Sequence, residues 1–210
     1  MATDRIRQAI NKANNEGRIA LVPYVTIDFP TPGITKDIVR SITEAGADVI
    51  ELGMPFSDPL GDGPTIQASG HKALENGVTP TTCMDTVKEI RKAGIDIPIV
   101  IMGYYNNILS MGLDEFCSNA HDAGVDGIIA ADLPAAEADP LLDAVDRAGL
   151  ALIPLLALTS TERAIEHACK RARGFIYCIS VIGVTGARAS MSERVKILAD
   201  NVRRFTDLPI

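Results

Sequence analysis

Apolar and polar positions along the chain follow a repeating order. A helix-like segment ends in Gly, and an apolar run follows. Gly17 precedes "RIALVPYVT", and Gly46 precedes "ADVIELG". Gly94 precedes "IDIPIVIMGY", and Gly124 precedes "VDGIIAAD". Gly149 precedes "LALIPLLA", and Gly174 precedes "FIYCIS". A glycine just past a helix C-terminus suits the left-handed backbone that closes the last turn. The steps between these glycines are 29, 48, 30, 25 and 25 residues. Each has room for one strand, a crossover helix and short loops. The second step is long, and its excess lies in "ELGMPFSDPLGDGPT", residues 51–65.

The apolar runs are nearly continuous, which suits parallel strands covered on both faces. Between them, Ile38, Ile42 and Ala45 recur at helical spacing. So do Met84, Val87 and Ile90, then Phe116 and Ala120, then Leu141, Val145 and Ala148. The pattern predicts an α/β fold with a parallel sheet, six complete units, and the start of a seventh strand at "TDLPI". A doubly wound sheet could end there, whereas a (β/α)8 barrel typically needs about 250 residues and could not. No shift in composition marks a second domain, so residues 1–210 read as one.

Composition narrows the function. The 210 residues are 47% hydrophobic and carry a net charge of −7. There is no Lys/Arg surplus for a nucleic-acid backbone. No apolar run is long enough for a membrane span. The polar N-terminus, "MATDRIRQAINKANNEG", reads as a helix rather than a signal peptide. Cys83, Cys117, Cys169 and Cys178 are far apart, and the three histidines form no HExxH. This predicts reduced thiols, a cytoplasmic location and no structural metal.

Strand parity singles out Glu51. If it points into a barrel, Val49 and Ala47 do too, and Ile50 and Leu52 face the helices. The opposite choice would point a carboxylate at an apolar helix layer, which is costly. The first choice puts an acid at the C-terminal end of a parallel strand, where sites form. Partly apolar surroundings there would raise its pKa toward neutrality. Asp58 and Asp62 follow in a long loop without a Lys or Arg, and alone they suit turn chemistry. "GVTGAR", residues 183–188, could expose N–H groups to an anion or form a plain turn. Tyr104 and Tyr177 lie near strand ends, where a hydroxyl can pack or reach a ligand.

Five segments, in order along the whole chain, carry a resemblance. They are "LVPYVTIDFP", "ADVIELGMPFSDPLGDGPTIQ", "VIMGYYNNIL", "IIAADLP" and "FIYCISVIGVTGAR". Together they resemble the tryptophan synthase alpha-subunit family. The resemblance implies a TIM (β/α)8 barrel of which about six and a half units are present. It implies a lyase that cleaves indole-3-glycerol phosphate to indole and glyceraldehyde 3-phosphate with no cofactor. Glu51 matches the family's general acid/base, and Asp62 the acid that holds the indole N–H. Tyr24, Tyr104, Tyr177, Thr185 and Gly186 match substrate-site positions. Pro55, Asp58, Pro59 and Asn106 match the surface that meets the beta subunit in an α2β2 heterotetramer. The remaining phosphate contacts would lie beyond Ile210, so the resemblance implies a truncated barrel with weak activity or none. Two other readings are set beside it. One is a non-catalytic barrel that binds a partner or itself. The other is a Schiff-base aldolase, which needs a lysine at a strand end.

Overall fold

The computed structural model describes residues 2–180 and 193–210. Helix α1 (Ala2–Asn15) comes first. Strands β1 (Tyr24–Thr26), β2 (Ile50–Gly53), β3 (Ile99–Gly103), β4 (Gly127–Ala130) and β5 (Ala151–Leu152) form one parallel sheet in that order. Strands β6 (Leu155–Ala157) and β7 (Tyr177–Ile179) form a parallel pair. Pro154, which has no N–H to give to a ladder, separates β5 from β6. Its carbonyl still accepts the Tyr177 N–H at 3.1 Å, and Leu152 accepts from Arg173. The two short strands therefore act as one interrupted stave.

Sequential strand order decides between the two architectures. With every crossover of one hand and no reversal, the connecting helices all fall on the same face, as in a barrel. These helices are α2 (Thr35–Glu44), α3 (Pro64–Glu75), α4 (Pro80–Lys92), α5 (Tyr105–Met111), α6 (Leu113–Ala123), α7 (Asp139–Ala148) and α8 (Glu162–Arg171). Helix α9 (Glu193–Arg203) follows.

Two apolar layers confirm the parity. Ile50, Leu52, Ile99, Ile101 and Ile128 pack outward against helix residues such as Val39, Ala73 and Val87. Val49, Val100, Ile129, Ala151, Ile153 and Phe175 form the inner cluster. Ala47 departs from the expected alternation. It precedes β2 and packs with the helix layer, because the period of two begins only where the strand does. The predicted glycines Gly17, Gly46, Gly94, Gly124, Gly149 and Gly174 all have φ between 72° and 100°. The long second step contains two helices, α3 and α4, where one was expected. The tail at 206–210 forms no strand, yet Ile176 donates its N–H to Pro209 at 2.8 Å.

Helix α1 closes the N-terminal end of the barrel. Ile6 and Ile10 join the inner cluster. Beside them Asp126, 1% exposed, accepts from Arg5 at 2.9 Å, from Arg91 at 2.8 Å and from the Ile99 N–H at 2.8 Å. Arg91 also donates to the carbonyls of Ile95, Ile97 and Gly124. The cluster joins α1, the end of α4 and the starts of β3 and β4. Removing one member of a buried ion pair strands the others. Asp126→Ala should therefore destabilise the fold by about 3–5 kcal/mol in urea unfolding. Arg5→Ala, at the open edge, should cost about 1 kcal/mol or less.

Candidate active site

The site grows from the C-terminal end of β2. Glu51 is in register with Tyr24 of β1 on one side and Val100 of β3 on the other. Its side chain is 4% exposed, and burial raises its carboxyl to about 7. Two residues on, Gly53 has the same parity. A Cβ there would lie 1.9 Å from the Tyr24 hydroxyl, so glycine is what lets the Tyr24 ring lie across β2. Tyr24 thus occupies the layer above Glu51.

A cavity of about 380 Å³ opens beside these residues, lined by Val22, Tyr24, Glu51, Phe175, Tyr177 and Arg203 among others. Burial, and next the Glu51 charge, raises the Tyr177 phenol. Burial pushes Tyr24 up to about 12. A hydrogen bond with Thr26 opposes that shift, and the Asp62 and Glu51 charges add to it. Tyr24 therefore senses both acids. Thr26 pairs with Ser69 of α3 at 2.8 Å, which ties β1 to the helix behind the loop.

Asp62 sits half-buried in the loop between β2 and α3. Burial raises its carboxyl above the usual aspartate range, and hydrogen bonding with Tyr104 pulls it back down. The loop has three anchors. The Tyr104 hydroxyl accepts the Gly61 N–H at 3.0 Å. Asn107 donates to the Pro55 carbonyl at 3.0 Å. Gln67 donates to the Asp62 carbonyl at 2.9 Å. Asn107, Gln67 and Gly53 escape the sequence reading, because only the folded chain sets them against the loop. The Phe56–Tyr104 stack, with centroids 5.1 Å apart, is missed for the same reason.

The structure brings Tyr24, Glu51 and Tyr177 onto one cavity. It places Asp62 with Tyr104 in the loop layer rather than on that cavity's lining. Asp58 and Asn106 are exposed, Pro59 is half-buried, and Leu60 is 93% exposed. Pro55, expected on the partner-facing surface, is instead buried, with its carbonyl held by Asn107. It props the loop from beneath. Thr185 and Gly186 lie outside the described residues. Among the described residues no three His, Cys, Asp or Glu gather as metal ligands, and no lysine lines the cavity.

Comparison with known proteins agrees with this geometry. A family model described as the tryptophan synthase alpha chain matches residues 10–210. The tryptophan synthase alpha chain of Thermoanaerobacter sp. (strain X514) is 43% identical over 206 residues, covering 98% of this chain and 78% of the relative. A solved tryptophan synthase of Mycobacterium tuberculosis superposes with a TM-score of 0.89 at 34% identity, covering 98% of this chain and 78% of that one. A structure bearing on mutual activation in the a2b2 complex of Pyrococcus furiosus superposes at 0.83 with 34% identity, covering 90% and 75%. On sequence, fold and the order of its staves, the chain belongs to the tryptophan synthase alpha-chain family.

Proposed function

We propose that Glu51 and Asp62 divide the cleavage of indole-3-glycerol phosphate between them. The chain is a lyase of tryptophan biosynthesis, performing the alpha reaction. The observation that carries the residue assignment is Glu51, a buried carboxyl raised to about 7, at a strand end on a cavity it shares with two tyrosines. A group with that pKa can both give and take a proton near neutrality.

The steps balance on those two acids. Protonated Glu51 delivers its proton to the indole C3, leaving positive charge on the ring. Ionised Asp62 accepts a hydrogen bond from the ring N–H and stabilises that charge. Glu51, now a carboxylate, takes the proton of the glycerol hydroxyl next to the ring. The C–C bond then breaks, and its electron pair returns to the ring. Indole and glyceraldehyde 3-phosphate leave, and Glu51 is protonated again. Tyr24 and Tyr177 bound the ring's pocket. Thr185 and Gly186 take the remaining loop contacts, with Gly186 at the phosphate, as the family resemblance implies. A binding-only barrel has no use for a carboxyl held neutral at such a cost.

The same reading includes a beta-subunit partner in an α2β2 assembly, like the complex of the Pyrococcus furiosus protein. Its docking surface is the exposed edge of Asp58, Pro59, Leu60 and Asn106. A cytoplasmic location suits the four free thiols. Among the described residues no helix is long and apolar enough to cross a membrane.

Glu51→Gln should lower kcat by about 10²–10⁴. It should also stabilise the fold, and the sign follows from the raised pKa. Between the ordinary 4.5 and about 7 the native state keeps a proton that the unfolded state has lost, so stability falls as pH rises through that window. The gain from Gln should reach at most about 3 kcal/mol near pH 8 and vanish near pH 4, as read by urea unfolding. Wild-type kcat/KM should rise with pH as Asp62 ionises, above the usual aspartate range, and fall near 7 as Glu51 ionises. A profile that is flat across neutrality, or a fully active Gln variant, removes Glu51 from this role.

The partner surface has its own check. Adding a cognate beta subunit should raise indole release, and Asp58→Ala should weaken that activation while leaving the unpartnered rate unchanged. Equal activation of both chains would move the interface elsewhere.

A further inference from the structure

Asp62 closes a tight turn. Its backbone N–H donates to the Pro59 carbonyl at 3.1 Å, so Pro59, Leu60, Gly61 and Asp62 form a β-turn. Leu60 and Gly61 are its central pair. Leu60 is 93% exposed, an apolar side chain held out into water at the tip. The acid and the exposed leucine therefore belong to one closed ring of backbone.

A single side chain grips both ends of that turn. The Gln67 amide donates to the Asp62 carbonyl at 2.9 Å and reaches the Pro59 carbonyl at 3.4 Å, a longer and weaker contact. A side-chain amide carries two N–H donors, so it can serve two acceptors. Gln67 stands in the first turn of α3, and its own N–H bonds to the Gly63 carbonyl at 2.9 Å. Two residues on, Ser69 meets Thr26 of β1 at 2.8 Å, with both side chains buried. The start of the helix is thus rooted in the sheet, and Gln67 extends that fixed reference to the turn. The amide holds main-chain carbonyls, which leaves the Asp62 carboxyl available for chemistry.

We infer that Gln67 is a positioning residue that makes the Pro59–Asp62 turn move as one body, and that through this turn docking of the beta subunit on Leu60 orders Asp62. The inference rests on the partner surface and on the catalytic reading of Asp62 proposed above. Coupling between two sites needs an element that neither can place without the other. With both ends of the turn held, Leu60 and Asp62 cannot be placed separately. With the ends released, a partner can seize Leu60 while Asp62 stays loose.

The test uses Gln67→Met, which keeps the side chain's length and a good helix former and removes both donors. Thermal melting confirms the fold. Three quantities are measured: affinity for a purified cognate beta subunit, indole release from indole-3-glycerol phosphate with and without that subunit, and amide hydrogen exchange at Asp62. The Met variant should bind the beta subunit with nearly unchanged affinity. Its activation at saturating beta subunit should fall roughly fivefold, the scale of one lost hydrogen bond. Exchange at the Asp62 amide, which closes the turn, should quicken by about the same factor.

Full activation of the Met variant would overturn the coupling role. So would a weaker affinity with activation restored at saturation, since Gln67 would then only shape the docking edge. Unchanged exchange at Asp62 would overturn the clamp itself. If the beta subunit fails to activate the wild-type chain, the partner reading falls and the coupling falls with it. Quickened Asp62 exchange in the Met variant would still show in that case that the turn is clamped, so the two failures are distinguishable.

Discussion

The desolvation of one carboxyl organises much of this molecule. Inside an apolar barrel an ionised acid is expensive, and Glu51 responds by holding its proton to about neutral pH. The arrangement depends on the strand parity, which leaves Ile50 and Leu52 to the helices and gives Glu51 the interior. It also depends on Gly53, whose missing side chain lets Tyr24 lie across β2. Asp62 is placed by different means. It is half-buried and lies on a loop whose Gly61 N–H is held by the Tyr104 hydroxyl at 3.0 Å. Burial raises both carboxyls, and it acts more fully on Glu51, which is buried, than on Asp62, which is half-buried.

Much of this was legible before any coordinates. The helix-ending glycines announced the repeat because few other residues tolerate a left-handed cap. The inward direction of Glu51 followed from parity and the cost of the alternative. Other features were hidden for identifiable reasons. Helix α3 was not foreseen because Gly70 interrupts its pattern. Gly70 is nonetheless buried in the helix, which packs beside the loop, so tertiary burial overrides helix propensity. The break at Pro154 was hidden inside an apolar run that read as one strand. Pro55 was expected at the partner surface from the resemblance and its place in the loop, whereas it is buried and its carbonyl accepts from Asn107, 52 positions away.

The anchors of the Asp62 loop belong to a wider division of labour. Staves supply rigid positions, and loops supply the chemistry that must meet a ligand from above. In this chain the division is bridged by side chains that start at strand ends and reach upward. Tyr24 and Tyr104 both do so, one over Glu51 and the other over Gly61. Aromatic residues suit the task because they combine a stiff, packable body with one polar tip.

Helix α1 has a consequence for the order in which the chain can assemble. Its Ile6 side chain lies where a Cβ on Gly127 would be only 2.9 Å away, and it also packs against Gly174. Arg5 closes onto Asp126, 121 positions later. None of those surfaces exists when α1 leaves the ribosome, because β4 and Gly174 follow it in the chain. Helix α1 must therefore wait, as an amphipathic helix with an uncovered apolar stripe, until β4 and the segment around Gly174 are in place. Its docking reports that the staves between have come together. An N-terminal extension that hindered α1 would be felt late in folding, at closure of the barrel floor, rather than at the nucleation of any single βα unit.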